Sequence, residues 1–100
     1  YMLAFYIGGM GHKKQNFHAN LVARFGYGDA VEKIQEAFWA GRRDEAASYV
    51  PDEFADEISL CGPIERIRER LEVWKKSAVT TLLAATNDVN AMRALAEAAL

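Results

Sequence analysis

The stretch that most constrains this chain runs from Leu60 to Leu83. It reads as a well-signalled helix followed by one strand, with no partner strand elsewhere in the sequence. Gly62 suits a cap and Pro63 a first helical turn, where its missing N–H is not needed. Ile64, Ile67, Leu71 and Trp74 then recur at spacings of three and four, one apolar stripe. The helix is expected over 63–76, with Glu72 and Lys76 in the favourable i,i+4 order. Val79-Thr80-Thr81-Leu82-Leu83-Ala84 is β-branched and then apolar, and Thr80–Ala84 is read as the strand. Its centre is apolar on both faces, as in strands of a covered parallel sheet. A helix entering such a strand and a helix leaving it make half of an α/β unit. The missing neighbours are expected from residues outside this chain or from a second copy.

The rest of the chain reads as helices. Tyr1–Ile7 is apolar almost throughout, and Gly8-Gly9-Met10-Gly11 reads as a stop and tight turn. His12-Lys13-Lys14-Gln15 is a polar loop. Asn16 is placed to cap a helix with Phe17, Leu21, Val22 and Phe25 inward. Gly26-Tyr27-Gly28 is hinge-like, and Asp29 can cap a helix carrying Val31, Ile34, Gln35, Phe38 and Trp39. Gly41 ends it. Asp44 begins a short helix that Val50-Pro51 breaks, and Asp52-Glu53 opens another where acids favour the dipole. Asn87-Asp88 caps a last helix with Val89, Met92, Leu95, Ala96 and Leu100 inward.

Several function classes lose support. A net charge of -2 gives no global field for nucleic acid or an anionic membrane. The arginines 66, 68 and 70 alternate with Glu65, Glu69 and Glu72, an exposed face rather than a nucleic-acid stripe. No apolar run approaches the ~18 residues of a membrane span. The abrupt apolar start suggests a chain cut from something longer. The acids have no histidine at ligand spacing, so no metal site is expected. Cys61 is alone, which fits a reducing cytoplasm, and is expected to be a buried structural thiol. No nucleophile or paired acid–base constellation stands out.

A set of stretches carries a family resemblance. They are Tyr6-Ile7-Gly8-Gly9-Met10-Gly11, Asn16-Phe17, Arg24-Phe25-Gly26-Tyr27, Ala40-Gly41-Arg42, Glu45-Ala46-Ala47, Val50-Pro51-Asp52-Glu53, Leu60-Cys61-Gly62-Pro63 with Arg66–Leu71, and Val79-Thr80-Thr81-Leu82. In this order the chain resembles the C-terminal part of a bacterial-luciferase-like oxidoreductase, of the group using the deazaflavin coenzyme F-420. The resemblance implies a mainly α chain with one short strand, the end of a (β/α)8 barrel. Residues 1–58 would be a helical insertion after the seventh strand. Residues 59–100 would close the barrel as helix, eighth strand and helix. A barrel takes about 250 residues, so this chain alone cannot complete one.

Barrel active sites lie at the C-terminal ends of the strands. The resemblance therefore puts Gly62, Thr86 and Asn87 near the catalytic face. It makes Met10, His12, Asn16 and Phe17 candidates for the substrate-pocket wall. The coenzyme would be F-420, or FMN in flavin relatives, held mostly by earlier strands, with none expected bound to this piece and no turnover from it alone. A small-molecule substrate, a homo-oligomer and a cytoplasmic setting are implied. The competing reading is a small helical module that oligomerises through apolar helix faces. One departure stands out: Ser77-Ala78 occupies the place of the family's glycine before the last strand, which weakens the expected helix stop.

Overall fold

The computed structural model describes residues 1–100 and divides them into two compact units, Tyr1–Ile58 and Ser59–Leu100. The first unit holds five helices: α1 (Met2–Gly9), α2 (Phe17–Val22), α3 (Gly28–Trp39), α4 (Arg43–Ser48) and α5 (Asp52–Glu57). The second holds α6 (Ile64–Lys75) and α7 (Val89–Ala99). There is no strand. The one β-type pairing is a four-residue turn in which His12 and Gln15 exchange backbone bonds of 3.0 and 2.9 Å.

The first unit is built around the crossing of α1 and α3. Ile7 and Ile34 are fully buried there, joined by Val22, Val31 and Phe54 and by small residues such as Ala4 and Ala37. Gly8 and Gly9 lie inside α1, not after it. They have helical backbones, and their use is closeness: a Cβ on Gly8 would sit 2.6 Å from Cβ and Cγ of Phe38, and one on Gly9 2.9 Å from the same ring.

A helix leaves its last four carbonyls without internal partners. In α1 three of them are taken by side chains. Asn16 Nδ2 donates to Ile7 O at 2.7 Å and to Tyr6 O at 3.4 Å, Gln35 Nε2 donates to Ile7 O at 3.2 Å, and Trp39 Nε1 donates to Gly8 O at 2.8 Å. Asn16 Oδ1 meanwhile accepts from Ala19 N at 2.9 Å, capping α2 as its sequence position predicts.

That double duty turns α2. With Asn16 only 4% exposed, the inward stripe is Asn16, Ala19 and Val22. Phe17, Leu21 and Phe25, expected inward, are exposed, Phe17 at 74%. The Gly26–Gly28 hinge is a π-turn, Ala23–Tyr27, in which Gly26 takes φ 100°, a left-handed value suited to glycine. Helix α3 then starts at Gly28, so Asp29 sits in its first turn and does not cap it. Likewise Arg42, not Asp44, occupies the cap position of α4.

In the second unit α6 and α7 pack together. Lys75, in the last turn of α6, pairs with Glu72 at 2.9 Å, in place of the expected Lys76–Glu72 pair, and reaches Ala98 O near the end of α7 at 3.4 Å. The last turn of α6 thus meets the last turn of α7, so the two packed helices run in the same direction. The segment between them therefore travels back the length of α6, roughly 18 Å at 1.5 Å per residue.

Thr80–Ala84 is not a strand here. A strand is defined by a ladder, and no backbone group of Ala78–Asn87 bonds to another backbone group. The helix nonetheless stops on time. Ser77 N and Oγ both donate to Trp74 O, at 3.0 and 2.7 Å, and Ser77 Oγ accepts from Val79 N at 3.2 Å. The serine does the work expected of the missing glycine. Cys61, expected buried, is exposed. Asp88 caps α7 by accepting from Asn90 N and Ala91 N, at 2.8 and 3.3 Å. Of the expected inward stripe, Val89, Met92 and Leu100 are exposed, while Leu95 is half-buried.

Candidate functional site

The first unit carries an open, apolar groove of about 420 Å³. Helix α1 lends Tyr6, α2 His18 and Leu21, the π-turn Phe25, and the α5 region Phe54 and Ile58. The rotation of α2 creates it: side chains that a sequence stripe would send into the core instead form the wall. His18 meets Tyr6 edge to face, ring centroids 4.9 Å apart, and Phe25 and Tyr27 lie 6.5 and 5.4 Å from Phe54. None of these groove residues is among the expected site residues. The overlooked signal is the excess of large apolar side chains on α2 over what one inward stripe can bury.

The expected pocket-wall residues occupy the α1–α2 connection. Met10 follows α1 and is half-exposed. His12 opens the tight turn and accepts at Nδ1 from Lys14 N at 3.3 Å. Phe17 projects outward. Asn16 is buried and its amide is wholly committed to α1 and α2. It shapes the connection and has no free polar atom to offer a ligand. The four are neighbours along the chain, but none lines the groove.

In the second unit Gly62 precedes α6 with φ 119°, and Thr86 and Asn87 precede α7. Because the helices are parallel, all three lie at the end where both helices begin. Two arginines hold the first of these loops. Arg66 Nη1 donates to Cys61 O at 2.7 Å and Arg70 Nη1 to Ser59 O at 2.9 Å, with the Arg66 stem packed over Gly62. Alternating charge on α6 had marked these arginines as solvated. Thr86 Oγ1 accepts from Asp88 N at 3.2 Å.

Charge elsewhere is arranged locally. Glu45 accepts from Tyr49 Oη at 2.9 Å and from Arg42 Nε at 2.6 Å; these bonds hold its carboxyl below the usual range, and the bond to Glu45 pushes the Tyr49 phenol up. Tyr1 Oη bonds to Asp44, which raises its phenol. Desolvation first, then Glu57 and Glu53, raise Tyr27.

The glycines of Gly8–Gly11 are not in the left-handed conformations of an anion nest; Gly8 and Gly9 are backed by Phe38, and Gly11 by Gln15 O. Every buried side-chain polar atom is already partnered, no three metal-ligating side chains cluster, and no helix is long and apolar enough to cross a membrane. The groove lining has no lysine, arginine or carboxylate side chain, and His18 is its one imidazole.

The comparisons with known proteins supply what the geometry does not. The chain is 38% identical over 94 residues to a Mycobacterium tuberculosis (strain ATCC 25618 / H37Rv) protein assigned as a coenzyme F420-dependent oxidoreductase. That alignment takes in 94% of this chain and 27% of the relative, so the chain spans about a quarter of the relative's length. No solved structure matches it. The family described as luciferase-like monooxygenase matches residues 1–81, from α1 through α6 into the segment beyond it. By that match over most of its length, the chain belongs to the luciferase-like monooxygenase family.

Proposed function

We propose that this chain is the C-terminal part of a (β/α)8-barrel oxidoreductase that transfers hydride with coenzyme F-420. Residues 1–58 act as the helical insertion and 59–100 as the closing helix–strand–helix, with Thr80–Ala84 the eighth strand. The observation that carries this reading is the return segment between two parallel helices, whose backbone has no backbone partner in the chain. A parallel sheet strand has that position between its helices. The assignment of the M. tuberculosis relative favours the deazaflavin over FMN.

On this reading Gly62, Thr86 and Asn87 lie at the catalytic face, where strands end and helices begin. Met10, His12 and Phe17 wall a small-molecule substrate, with Asn16 fixing their connection. The coenzyme supplies the hydride chemistry when bound. This chain's residues shape and close its surroundings. A reducing cytoplasm suits its one unpaired cysteine.

The test is a chimera in which this chain replaces the matching 94-residue stretch of the M. tuberculosis relative. Coenzyme binding, followed by deazaflavin fluorescence, is expected to stay within about tenfold of the relative's own, ~1.4 kcal/mol. The 100-residue chain alone is expected to show only background rates with reduced coenzyme and generic acceptors. A folded chimera that fails to bind, or turnover by the chain alone, refutes the proposal.

A further inference from the structure

The connection from α1 to α2 is braced from three directions. Its tip is closed by two backbone bonds, His12 N to Gln15 O and Gln15 N to His12 O, at 3.0 and 2.9 Å. Gly11 lets the two sides close: a Cβ there would lie 2.7 Å from Gln15 O and 3.0 Å from Asn16 Cα. Its root is pinned by Asn16, whose side chain bonds to both α1 and α2. The third brace comes from α3. Trp39 Nε1 donates to Gly8 O at 2.8 Å, and Lys13 Nζ stands over the same indole, 5.1 Å from the ring centroid. A cation so placed is attracted by the negative face of the ring. One side chain thus ties the end of α1 to the tip of the turn. These contacts all fall within residues 6–39, so the chain makes this geometry by itself.

The turn carries His12, Lys13 and Lys14 side by side. A surface lysine ordinarily gives up much rotamer freedom on meeting an anion, which is why exposed ion pairs are weak. Lys13 has already given up part of that freedom on the indole. The last carbonyls of α1 do not require its charge, because Tyr6 O, Ile7 O and Gly8 O have donors in Asn16, Gln35 and Trp39. His12 is also held. Its Nδ1 accepts from Lys14 N at 3.3 Å, so the neutral ring carries its proton on Nε2 and has that N–H to donate. We propose that this turn recognises a carboxylate on the small-molecule substrate, with Trp39 the residue that positions Lys13 for it. The proposal rests on the reading of the connection as substrate-pocket wall and adds the substrate class to it. Ammonium and imidazole N–H both make charge-assisted bonds to a carboxylate, and donors ordered beforehand cost less to order on binding. Met10 and Phe17, exposed and flanking the turn in sequence, suit an apolar body attached to that group.

The experiment is a titration of the intact chain with benzoate and with its uncharged counterpart benzamide, without coenzyme, followed by backbone amide shifts in nuclear magnetic resonance. The expected result is a saturable benzoate shift at residues 10–17, with benzamide about tenfold weaker. Lys13→Met is expected to weaken benzoate about fivefold. Trp39→Leu leaves every charge in place but frees Lys13, and is expected to weaken benzoate about threefold while leaving benzamide unchanged. Trp39→Phe restores an aromatic face under Lys13 and is expected to recover most of that loss, although it too lacks the indole donor. Lys33→Met is the control: that lysine stands over Tyr49, 5.9 Å from its ring centroid, and its loss is expected to change nothing. Circular dichroism checks that each variant keeps its helices. Benzoate shifts that are absent, matched by benzamide, or reduced as much by Lys33→Met as by Lys13→Met overturn the proposal. Equal losses in Trp39→Phe and Trp39→Leu overturn the positioning role. Coenzyme is absent throughout, so a failure here leaves coenzyme binding by the chimera standing, and a failure of the chimera leaves the benzoate result standing.

Discussion

Gly8→Ala sets helix propensity against packing at one atom. Gly8 has an ordinary helical backbone, so alanine alone favours α1 by about 1 kcal/mol. The new methyl group, however, lands 2.6 Å from Cβ and Cγ of Phe38. Comfortable carbon–carbon contact is about 3.5–4.0 Å, so α1 and α3 must part by roughly 1 Å. One of the opposing atoms is Cβ of Phe38, which no rotamer change moves away. Phe38 is also held from other directions, by Phe5 at 6.2 Å and Arg43 at 4.8 Å from its ring. Overpacking of this kind costs about 1–3 kcal/mol, and the rigid neighbour puts it at the upper end. A net loss of about 2 kcal/mol follows from that cost less the propensity gain. Two further substitutions isolate the cause. Gly28→Ala, at φ -55° with nothing within 4 Å, should stabilise by about 0.4–1 kcal/mol. Gly26→Ala, at φ 100° and equally uncrowded, should lose about 1–2 kcal/mol through backbone strain alone. Urea unfolding followed by Trp39 fluorescence in a Trp74→Phe background reads all three on the first unit. If Gly8→Ala behaves like Gly28→Ala, the close crossing of α1 and α3 is not what Gly8 serves.

Asn16→Ala removes the cap of α2 and one of two donors to Ile7 O, with an expected loss of about 2–3 kcal/mol by urea unfolding. Asn16→Asp keeps the acceptor for Ala19 N but faces the α1 carbonyls with a charge, and should be at least as damaging. Glu45, with its carboxyl lowered in the folded chain, adds stability that is present above its unfolded value near 4.5. That contribution is lost as pH falls through the lower folded value; a Glu45→Gln variant should show a shallower acid decline in stability across that window. Trp39→Phe keeps an aromatic ring but leaves Gly8 O without its indole donor, and should cost about 1 kcal/mol by urea unfolding followed by circular dichroism.

Helix boundaries were legible in the sequence because their causes are local. Asn16 and Asp88 cap as their positions predict, and Pro51 marks a break. Which side of a helix turns inward was less legible, because that depends on what lies opposite. The aromatic spacing of α2 suggested Phe17, Leu21 and Phe25, but Asn16 must turn toward the α1 carbonyls and carries the helix with it. Gln35 and Trp39 read as members of an apolar stripe, yet each sends an N–H to α1. A glutamine within such a stripe is itself a hint that some distant carbonyl needs a donor. The expected strand Thr80–Ala84 is absent from this chain for the opposite reason. Val79–Ala84 has every local preference for one, but a ladder needs a second backbone. Around Gly62, spacing located the loop but could not show that Arg66 and Arg70 reach back to hold it.

The end of α1 has a consequence for how the first unit assembles. Its last turn is completed by donors 9, 28 and 31 residues further on. No peptide ending shortly after Gly9 can therefore make that turn as it stands here. During folding α1 must wait for α3, and nucleation is expected to lie in α3 with α1 condensing onto it, a non-local step that slows the unit relative to a simple helical hairpin. In native-state exchange the closing amides of α1 should then open together with those of α3, as one cooperative block rather than a fraying end.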